Sequence, residues 1–192
     1  MSKHHRNRNW APAPQPLPED AHVIDNHTHV ASVVPFSQAM SHEAMEKGQG
    51  EVPVYSVDEL LNQAQQVGVE GVIDCGCELP NLMTAIDMAR EHPQTVHAAI
   101  AIHPNESVLH GHRGVPGPDG LPLKYKPWHD TSFEDAMAEV HRLATAYPNQ
   151  VVAIGETGMD LFRTGEAAKE LQREAFRAHI ALAKELNLPM QI

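Results

Sequence analysis

The sequence predicts an α/β fold in which a parallel β-sheet is covered by helices. Short apolar stretches rich in Val and Ile alternate along the chain with stretches whose apolar residues recur at helical spacing. Alternating strands and helices form right-handed βαβ units, which build parallel sheets. Polar residues that can carry chemistry follow several predicted strands, and such folds place their active sites at the carboxyl ends of the strands.

The first predicted strand ends in a His-x-His pair. Residues 23–30 read Val-Ile-Asp-Asn-His-Thr-His-Val, which places His27 and His29 two positions apart. Side chains at positions i and i+2 of a strand point to the same face, roughly 7 Å apart. Two imidazoles aimed at one point can bind a divalent metal ion. The alternative is a strand end with two solvated histidines, in a chain that contains 14 of them.

Two segments around this strand are predicted to lack regular structure. Residues 1–20 are basic and rich in proline, which predicts a disordered tail ahead of a folded part at residues 21–192. Residues 37–53 are polar and include Gly48 and Gly50. This composition predicts a long loop with at most one helical turn.

The other elements follow from turn signals and apolar spacing. The pairs Ser56 with Glu59 and Thr131 with Glu134 have the spacing of a capping box, which starts a helix. The predicted order is a helix from Ser56 to Gly68, a strand at 71–75, a helix capped by Asn81 and ending near His92, a strand at 96–102, a helix after Thr131, a strand at 151–154, a helix at about 167–186 and a strand from 188.

Later strands also end at residues with metal-binding or acid–base chemistry. Glu156 closes the strand at 151–154 between Gly155 and Gly158, and a carboxylate at that depth is costly unless it is paired or bound to metal. With the two histidines, Glu156 completes the ligand chemistry of a hydrolytic metal site. A salt bridge from Glu156 to Lys or Arg is the alternative. Cys75 and Cys77 can bind a soft metal or be small buried residues.

Three further residues have open assignments. His103 follows the strand at 96–102 and can be a metal ligand, a hydrogen-bond donor to substrate or a capping residue. Asp160 can support the metal site from behind or cap the turn that follows it, and Arg163 can reach a substrate phosphate or remain a solvated charge. A second His-x-His, His110 with His112, lies in glycine- and proline-rich sequence, which predicts surface histidines.

Composition excludes some classes of protein. The formal net charge of −11 argues against duplex binding through a basic face, because such binding neutralises phosphates with Lys and Arg. No apolar run approaches the ~18 residues of a membrane span, and no secretory signal precedes the fold. We therefore expect a cytoplasmic protein with no membrane contact. The single residue between the two cysteines makes a mutual disulfide unfavourable.

Four blocks of the sequence together resemble a known family. VIDNHTHV, AIHPNE, AIGETGMDLF and QREAFRAHIALAKELNLPMQI occur in this order. They are similar to the TatD-type metal-dependent deoxyribonucleases, a branch of the amidohydrolase-like TIM barrels. The resemblance implies that His27 and His29 bind the first metal, that Glu156 bridges two metals and that His103 is an active-site residue. Ala101 stands where the family usually has Gly, and Met159 stands where it has Leu.

The resemblance also implies an activity. It implies 3′–5′ exonuclease hydrolysis of DNA phosphodiester bonds by water activated between two divalent ions, with Mg, Mn, Zn and Ni as candidates. Two alternatives remain open at this stage. One is hydrolysis of an amide or ester at the same site, since these barrels support many reactions. The other is a metal-binding or assembly protein without catalysis.

The length of the chain bears on this choice. A full TIM barrel has eight strands in typically ~250 residues, and the sequence shows five strand signals in 192 residues. Members of the family continue after the fifth strand with two histidines and an aspartate that complete the metal site. We therefore expect a truncated barrel, whose open edge a homo-oligomer could cover.

Overall fold

A computed structural model of the chain describes residues 16–48, 52–115 and 124–192. Most of the predicted disordered tail, residues 1–15, lies outside the described residues. The chain divides into two compact units. Of the described residues, the first unit contains 16–24 and those within 30–70, and the second contains Asp25–His29 and those within 71–192.

The first unit contains two helices, and the longer one corrects a prediction. Helix α1 spans Val30–Glu46, and its residues 37–46 fall in the segment 37–53 that the sequence predicted as a loop with at most one helical turn. The loop prediction relied on polarity, but Gln, Ala, Met and Glu, which dominate the second half of this helix, are strong helix formers. Ion pairs at helical spacing, from Glu43 to Lys47 and from His42 to Glu46, support the last turns.

Helix α2, Val57–Gln66, begins where the sequence predicted. Ser56 accepts a hydrogen bond from the backbone of Glu59, whose side chain accepts one from the backbone of Ser56, so the capping box is confirmed. The turn after the helix passes through Gly68, whose φ of +96° favours glycine. The side chain of Leu17 lies over Gly68, and its backbone N–H donates to the carbonyl of Val67.

Four strands form one sheet in the order of the sequence. They are β1 (Val23–Thr28), β2 (Val69–Gly76), β3 (Val96–Ile100) and β4 (Val151–Ile154). Strands β2, β3 and β4 pair in parallel, which confirms the predicted parallel sheet. The predicted fifth strand is reduced to a single parallel bridge between Ile154 and Met190.

The helices of the second unit follow the strands in alternation. They are α3 (Leu79–Glu91), α4 (Pro104–Ser107), α5 (Phe133–Ala146), α6 (Leu161–Thr164) and α7 (Lys169–Leu186), with short 3₁₀ turns at Pro127–Asp130 and Glu166–Ala168. Two predicted caps are wrong. Helix α3 starts after Glu78 rather than Asn81, and α5 is capped by Ser132 rather than Thr131.

The core lies around β3. Ala98, Ala99 and Ile100 are fully buried, as expected of a central parallel strand covered on both faces. Helix α3 contributes Leu82 and Ile86, which are also fully buried. This packing holds the carboxyl ends of the strands in place. None of the helices in the described ranges is long and apolar enough to cross a membrane.

Candidate metal centre

The predicted ligands His27, His29 and Glu156 meet at one point. The Nε2 atoms of His27 and His29 lie 3.3 Å and 3.6 Å from the same carboxylate oxygen, Oε2 of Glu156. One potential ligand atom from each of the three residues lies within 4.8 Å of the other two. Two imidazole nitrogens and a carboxylate oxygen at this spacing are a donor set that suits a divalent transition metal.

Glu156 makes its other contacts inside the same site. Its second oxygen, Oε1, lies 3.6 Å from Nε2 of His103, and the Cys77 thiol donates a long hydrogen bond of 3.8 Å to Oε2. In the part of the chain that the structure describes, the ion pairs of Glu156 are all with histidines. The alternative of a salt bridge to Lys or Arg is therefore not observed there.

Local backbone geometry brings these side chains to the edge of the sheet. Thr28 stands between His27 and His29 in the sequence. Its hydroxyl donates a hydrogen bond to the carbonyl of Ile73 at 3.0 Å and so holds the end of β1 against β2. Gly155 sits against Gln191, and a Cβ at this glycine would lie 2.5 Å from the Cβ of Gln191. Only glycine therefore allows the end of β4 and the final segment to pass this closely.

His103 is fixed in one orientation as the N-cap of α4. Its Nδ1 accepts the backbone N–H of Asn105 at 3.1 Å. In the neutral ring the proton is therefore on Nε2, the nitrogen that faces Glu156. Burial lowers the pKa of His103, and the carboxylates of Glu156 and Asp160 oppose this shift. The neutral ring thus presents a hydrogen-bond donor to the centre.

Helix α4, which carries His103 at its start, is held from two sides. The Asn105 side chain donates to Oδ2 of Asp160 at 2.7 Å. On the other side, Glu106 accepts hydrogen bonds from His129 at 2.7 Å and from the indole of Trp128 at 3.2 Å. A helix of one turn has little stability of its own. These side-chain bonds therefore determine where His103 lies.

Asp160 links this region to helices α6 and α7. It caps α6 by accepting the backbone N–H groups of Phe162 and Arg163. Burial alone would raise the pKa of Asp160, but the hydrogen bonds from Asn105 and these N–H groups outweigh burial and lower the pKa. The fully buried Gln172 of α7 holds the backbone of Asp160 with one accepted and one donated hydrogen bond.

The whole site lies within a region that matches a known family. A model of the family described as TatD related DNase matches residues 24–192. The chain belongs to this family.

Curated relatives are similar to this TatD family chain over about 70% of its length. An uncharacterized metal-dependent hydrolase, YabD, from Bacillus subtilis is 31% identical over 136 residues, which cover 71% of this chain and 43% of that protein. A 3′-5′ ssDNA/RNA exonuclease TatD from Erwinia tasmaniensis is 32% identical over 133 residues, which cover 69% of this chain and 42% of that protein. The matched part of the chain thus corresponds to less than half of these relatives.

Solved structures of the TatD family show the same fold. The TatD homologue YjjV from Escherichia coli superposes with a TM-score of 0.56 at 24% identity, covering 88% of this chain and 49% of that chain. A TatD family hydrolase from Entamoeba histolytica gives 0.58 at 20% identity, covering 88% and 48%. These likenesses confirm the predicted TIM-barrel type of fold, here as a partial barrel.

The other candidate residues of this TatD family chain lie at different positions relative to the centre. Asp160 caps α6 and reaches His103 through Asn105, so it lies behind the centre rather than in it. Arg163 is exposed on α6. Neither cysteine forms a disulfide. Cys75 is buried, and its thiol donates a hydrogen bond to Oε1 of Gln191 at 2.9 Å; the Cys77 thiol lies beside Glu156.

The prediction of two surface histidines is wrong for one of them. His112 is exposed and bonds to Asp130, but His110 is fully buried and donates from Nδ1 to the carbonyl of Thr131. The prediction assumed that a segment rich in glycine and proline is a loop whose histidines are exposed to solvent. Instead, Val108 and Leu109 are packed in a hydrophobic cluster, and the adjacent His110 is buried with them while His112 stays exposed.

Sequence reasoning missed Asn105, Glu106 and Gln172 as supports of the site. Asn105 and Glu106 directly follow His103 and Pro104 in the sequence. Their position next to a candidate site residue was the signal that could have identified them. Gln172 lies on the buried side of a helix, where an amide is unexpected unless it is hydrogen-bonded. A polar residue on the apolar side of a helix can be recognised from the sequence, but its hydrogen-bond partner cannot.

Proposed function

We propose that this chain is part of a metal-dependent hydrolase that cleaves phosphodiester bonds in single-stranded DNA from the 3′ end. The observation that carries the proposal is the placement of the His27 and His29 nitrogens 3.3 Å and 3.6 Å from one oxygen of Glu156. The name of the Erwinia relative, a 3′-5′ ssDNA/RNA exonuclease, supports the substrate and the direction. The chain spans less than half of that relative, so the activity belongs to the proposal.

The three clustered residues have distinct parts in this proposal. His27, His29 and Glu156 would hold a divalent ion, drawn from Mg, Mn, Zn and Ni. A bound ion of this kind lowers the pKa of water and stabilises charge on phosphate oxygens. Of the two ions that the resemblance implies, the described residues offer a donor group for one.

His103 supplies a donor beside this group. Its neutral ring carries the proton on Nε2, because Nδ1 accepts the N–H of Asn105. We infer that Nε2–H donates a hydrogen bond to a phosphate oxygen of the substrate. This bond would hold the phosphate close to Glu156. Arg163 brings positive charge to α6 in a chain of net charge −11, and a polyanionic substrate needs such local positive charge.

The proposal is tested with a 5′-labelled single-stranded oligonucleotide and Mn²⁺. We expect shortening from the 3′ end by the unmodified chain, and none by Glu156→Gln, which keeps the shape of the side chain but weakens metal binding. Glu139→Gln is the matched control, because Glu139 pairs with Arg142 on the surface of α5. The Glu139 variant should cleave as the unmodified chain does.

Three results would contradict the proposal. The first is equal cleavage by Glu156→Gln and the unmodified chain. The second is turnover of ester or cyclic-amide substrates without cleavage of DNA, which would indicate the amide or ester hydrolase alternative. The third is metal binding by the unmodified chain with no hydrolysis of any of these substrates, which would indicate a non-catalytic metal-binding protein.

A further inference from the structure

Phe162 is almost wholly exposed on helix α6. Its exposed fraction, 92%, is the largest among the big apolar residues of the described ranges. Other aromatic residues of this unit are better covered, with Phe133 buried and Tyr125 exposed to 37%. An aromatic ring held in water is unfavourable, and contact with a flat apolar partner removes that cost.

Hydrogen bonds tie the backbone of Phe162 to the metal centre. Its N–H donates to Oδ1 of Asp160 at 3.1 Å, and Oδ2 of the same carboxylate accepts from Asn105 at 2.7 Å. The backbone of Asn105 in turn holds the His103 ring, which lies 3.6 Å from Glu156. Helix α6 is therefore connected through Asp160 and Asn105 to the His103 side of the site.

The charge of the chain limits how it can hold a nucleic acid. With a net charge of −11, the chain as a whole offers little positive charge for phosphate neutralisation, which falls to local groups such as a bound metal ion and Arg163. Stacking of bases on aromatic side chains is the other general source of affinity for single strands, and it tolerates any sequence. In a duplex, both faces of each internal base are already covered. A stacking residue therefore favours unpaired nucleotides.

We propose that Phe162 stacks on an unpaired nucleobase of the strand bound at the metal centre, while Arg163 beside it contacts the backbone phosphate. This inference rests on the proposed function and deepens it, because it names the feature of the substrate that is recognised. The ligand class is a single-stranded nucleotide with a planar base. Double-stranded ends would bind only after fraying.

The first test is binding of the complete chain to a short, dye-labelled oligothymidylate. Its 3′ linkages are phosphorothioates to prevent hydrolysis, and affinity is measured by fluorescence anisotropy in Mn²⁺. We expect Phe162→Ala to weaken binding by about 5- to 100-fold, and Phe162→Trp to retain it. Phe36→Ala is the matched control, because Phe36 is half exposed on α1 of the other unit. It should bind as the unmodified chain does.

The second test separates stacking from a general loss of structure. Oligonucleotides with one abasic nucleotide at successive 3′ positions are compared with the intact strand, using the unmodified chain and Phe162→Ala. At one position, loss of the base should weaken binding by the unmodified chain as much as the Phe162 substitution does, and should have little further effect on the variant. Additive losses at every position would overturn the inference.

The outcomes also separate this inference from the proposed function. If Phe162→Ala binds and cleaves as the unmodified chain does, the stacking role is wrong and the hydrolase proposal stands. If the unmodified chain neither binds nor cleaves single strands, both are wrong. Equal affinity of the unmodified chain for blunt duplex and single strand would overturn the stacking role as well.

Discussion

The Nε2 atom of His27 lies 3.3 Å from Oε2 of Glu156, although β2 and β3 separate their strands in the sheet. In a flat sheet, three strand spacings would put the two backbones about 14 Å apart, with side chains pointing in parallel. The contact requires the carboxyl edge of the sheet to curve around a common centre. Such curvature is the geometry of a barrel wall.

The first prediction concerns the donor set. We expect His27→Ala to lower the affinity for Zn²⁺ or Mn²⁺ by at least about tenfold, because substitution of even the outer partners of ligands commonly costs that much. The measurement is calorimetric titration of the apo chain. His112→Ala is the control, since His112 is exposed and its contacts, a hydrogen bond to Asp130 and stacking on the Tyr125 ring, do not involve the proposed ligands. Equal losses in the two variants would argue against the proposed centre.

The second prediction concerns the support behind Asp160. Gln172 is fully buried, accepts from the backbone of Asp160 at 2.8 Å and donates to Thr164 at 2.6 Å. Gln172→Leu would leave these groups without their partners, so we expect a loss of about 2–3 kcal/mol in the free energy of unfolding. Urea denaturation measures this loss. Gln65→Leu on the exposed side of α2 should stay within about 0.5 kcal/mol of the unmodified chain.

The third prediction concerns acid stability. His179 is fully buried, donates to the carbonyl of Ala175 and accepts the N–H of Ile102, so its ring is satisfied in the neutral form. Burial lowers the pKa of His179 from 6.5 to about 4. The unfolded chain therefore takes up a proton first as the pH falls. The contribution of His179 to stability is complete above about pH 6.5 and is lost as the pH falls towards 4.

The measurement is denaturation at neutral pH and at about pH 5. We expect His179 to account for about 2 kcal/mol of the difference in unfolding free energy between them. His179→Gln should be less stable at neutral pH but should show a correspondingly smaller decrease on acidification. An identical decrease in the variant and the unmodified chain would show that other groups cause the acid sensitivity.

The fourth prediction concerns thiol reactivity. Burial raises the pKa of Cys75 to about 12, and the nearby charges of Asp74 and Glu156 act in the same direction. At about pH 8 the reactive thiolate is then a fraction of only ~10⁻⁴. In a Cys77→Ala background, we expect no reaction with a disulfide reagent such as DTNB until the chain is unfolded. Prompt labelling of the folded protein would contradict the buried position of Cys75.

Local patterns predicted much of the architecture. The run of β-branched residues at Val151–Ile154 coincides with β4, and Ser56 with Glu59 caps α2 as expected. Both features depend on residues close in sequence, so their signals survive without tertiary information. The error at α1 arose because polarity was given more weight than helix propensity. The buried His110 could not be predicted from its glycine-rich surroundings, because its burial depends on how the segment folds inward.

The grouping of His27, His29 and Glu156 was foreseen because parallel strands place their carboxyl ends on one edge. The orientation of His103 was not. It depends on one N–H from Asn105, a carboxylate from Asp160 and an amide from Gln172, which come from different elements. Short sequence motifs thus predict which residues are candidates for the site. Their orientations and protonation states arise only from distances between elements, which packing of the whole unit sets.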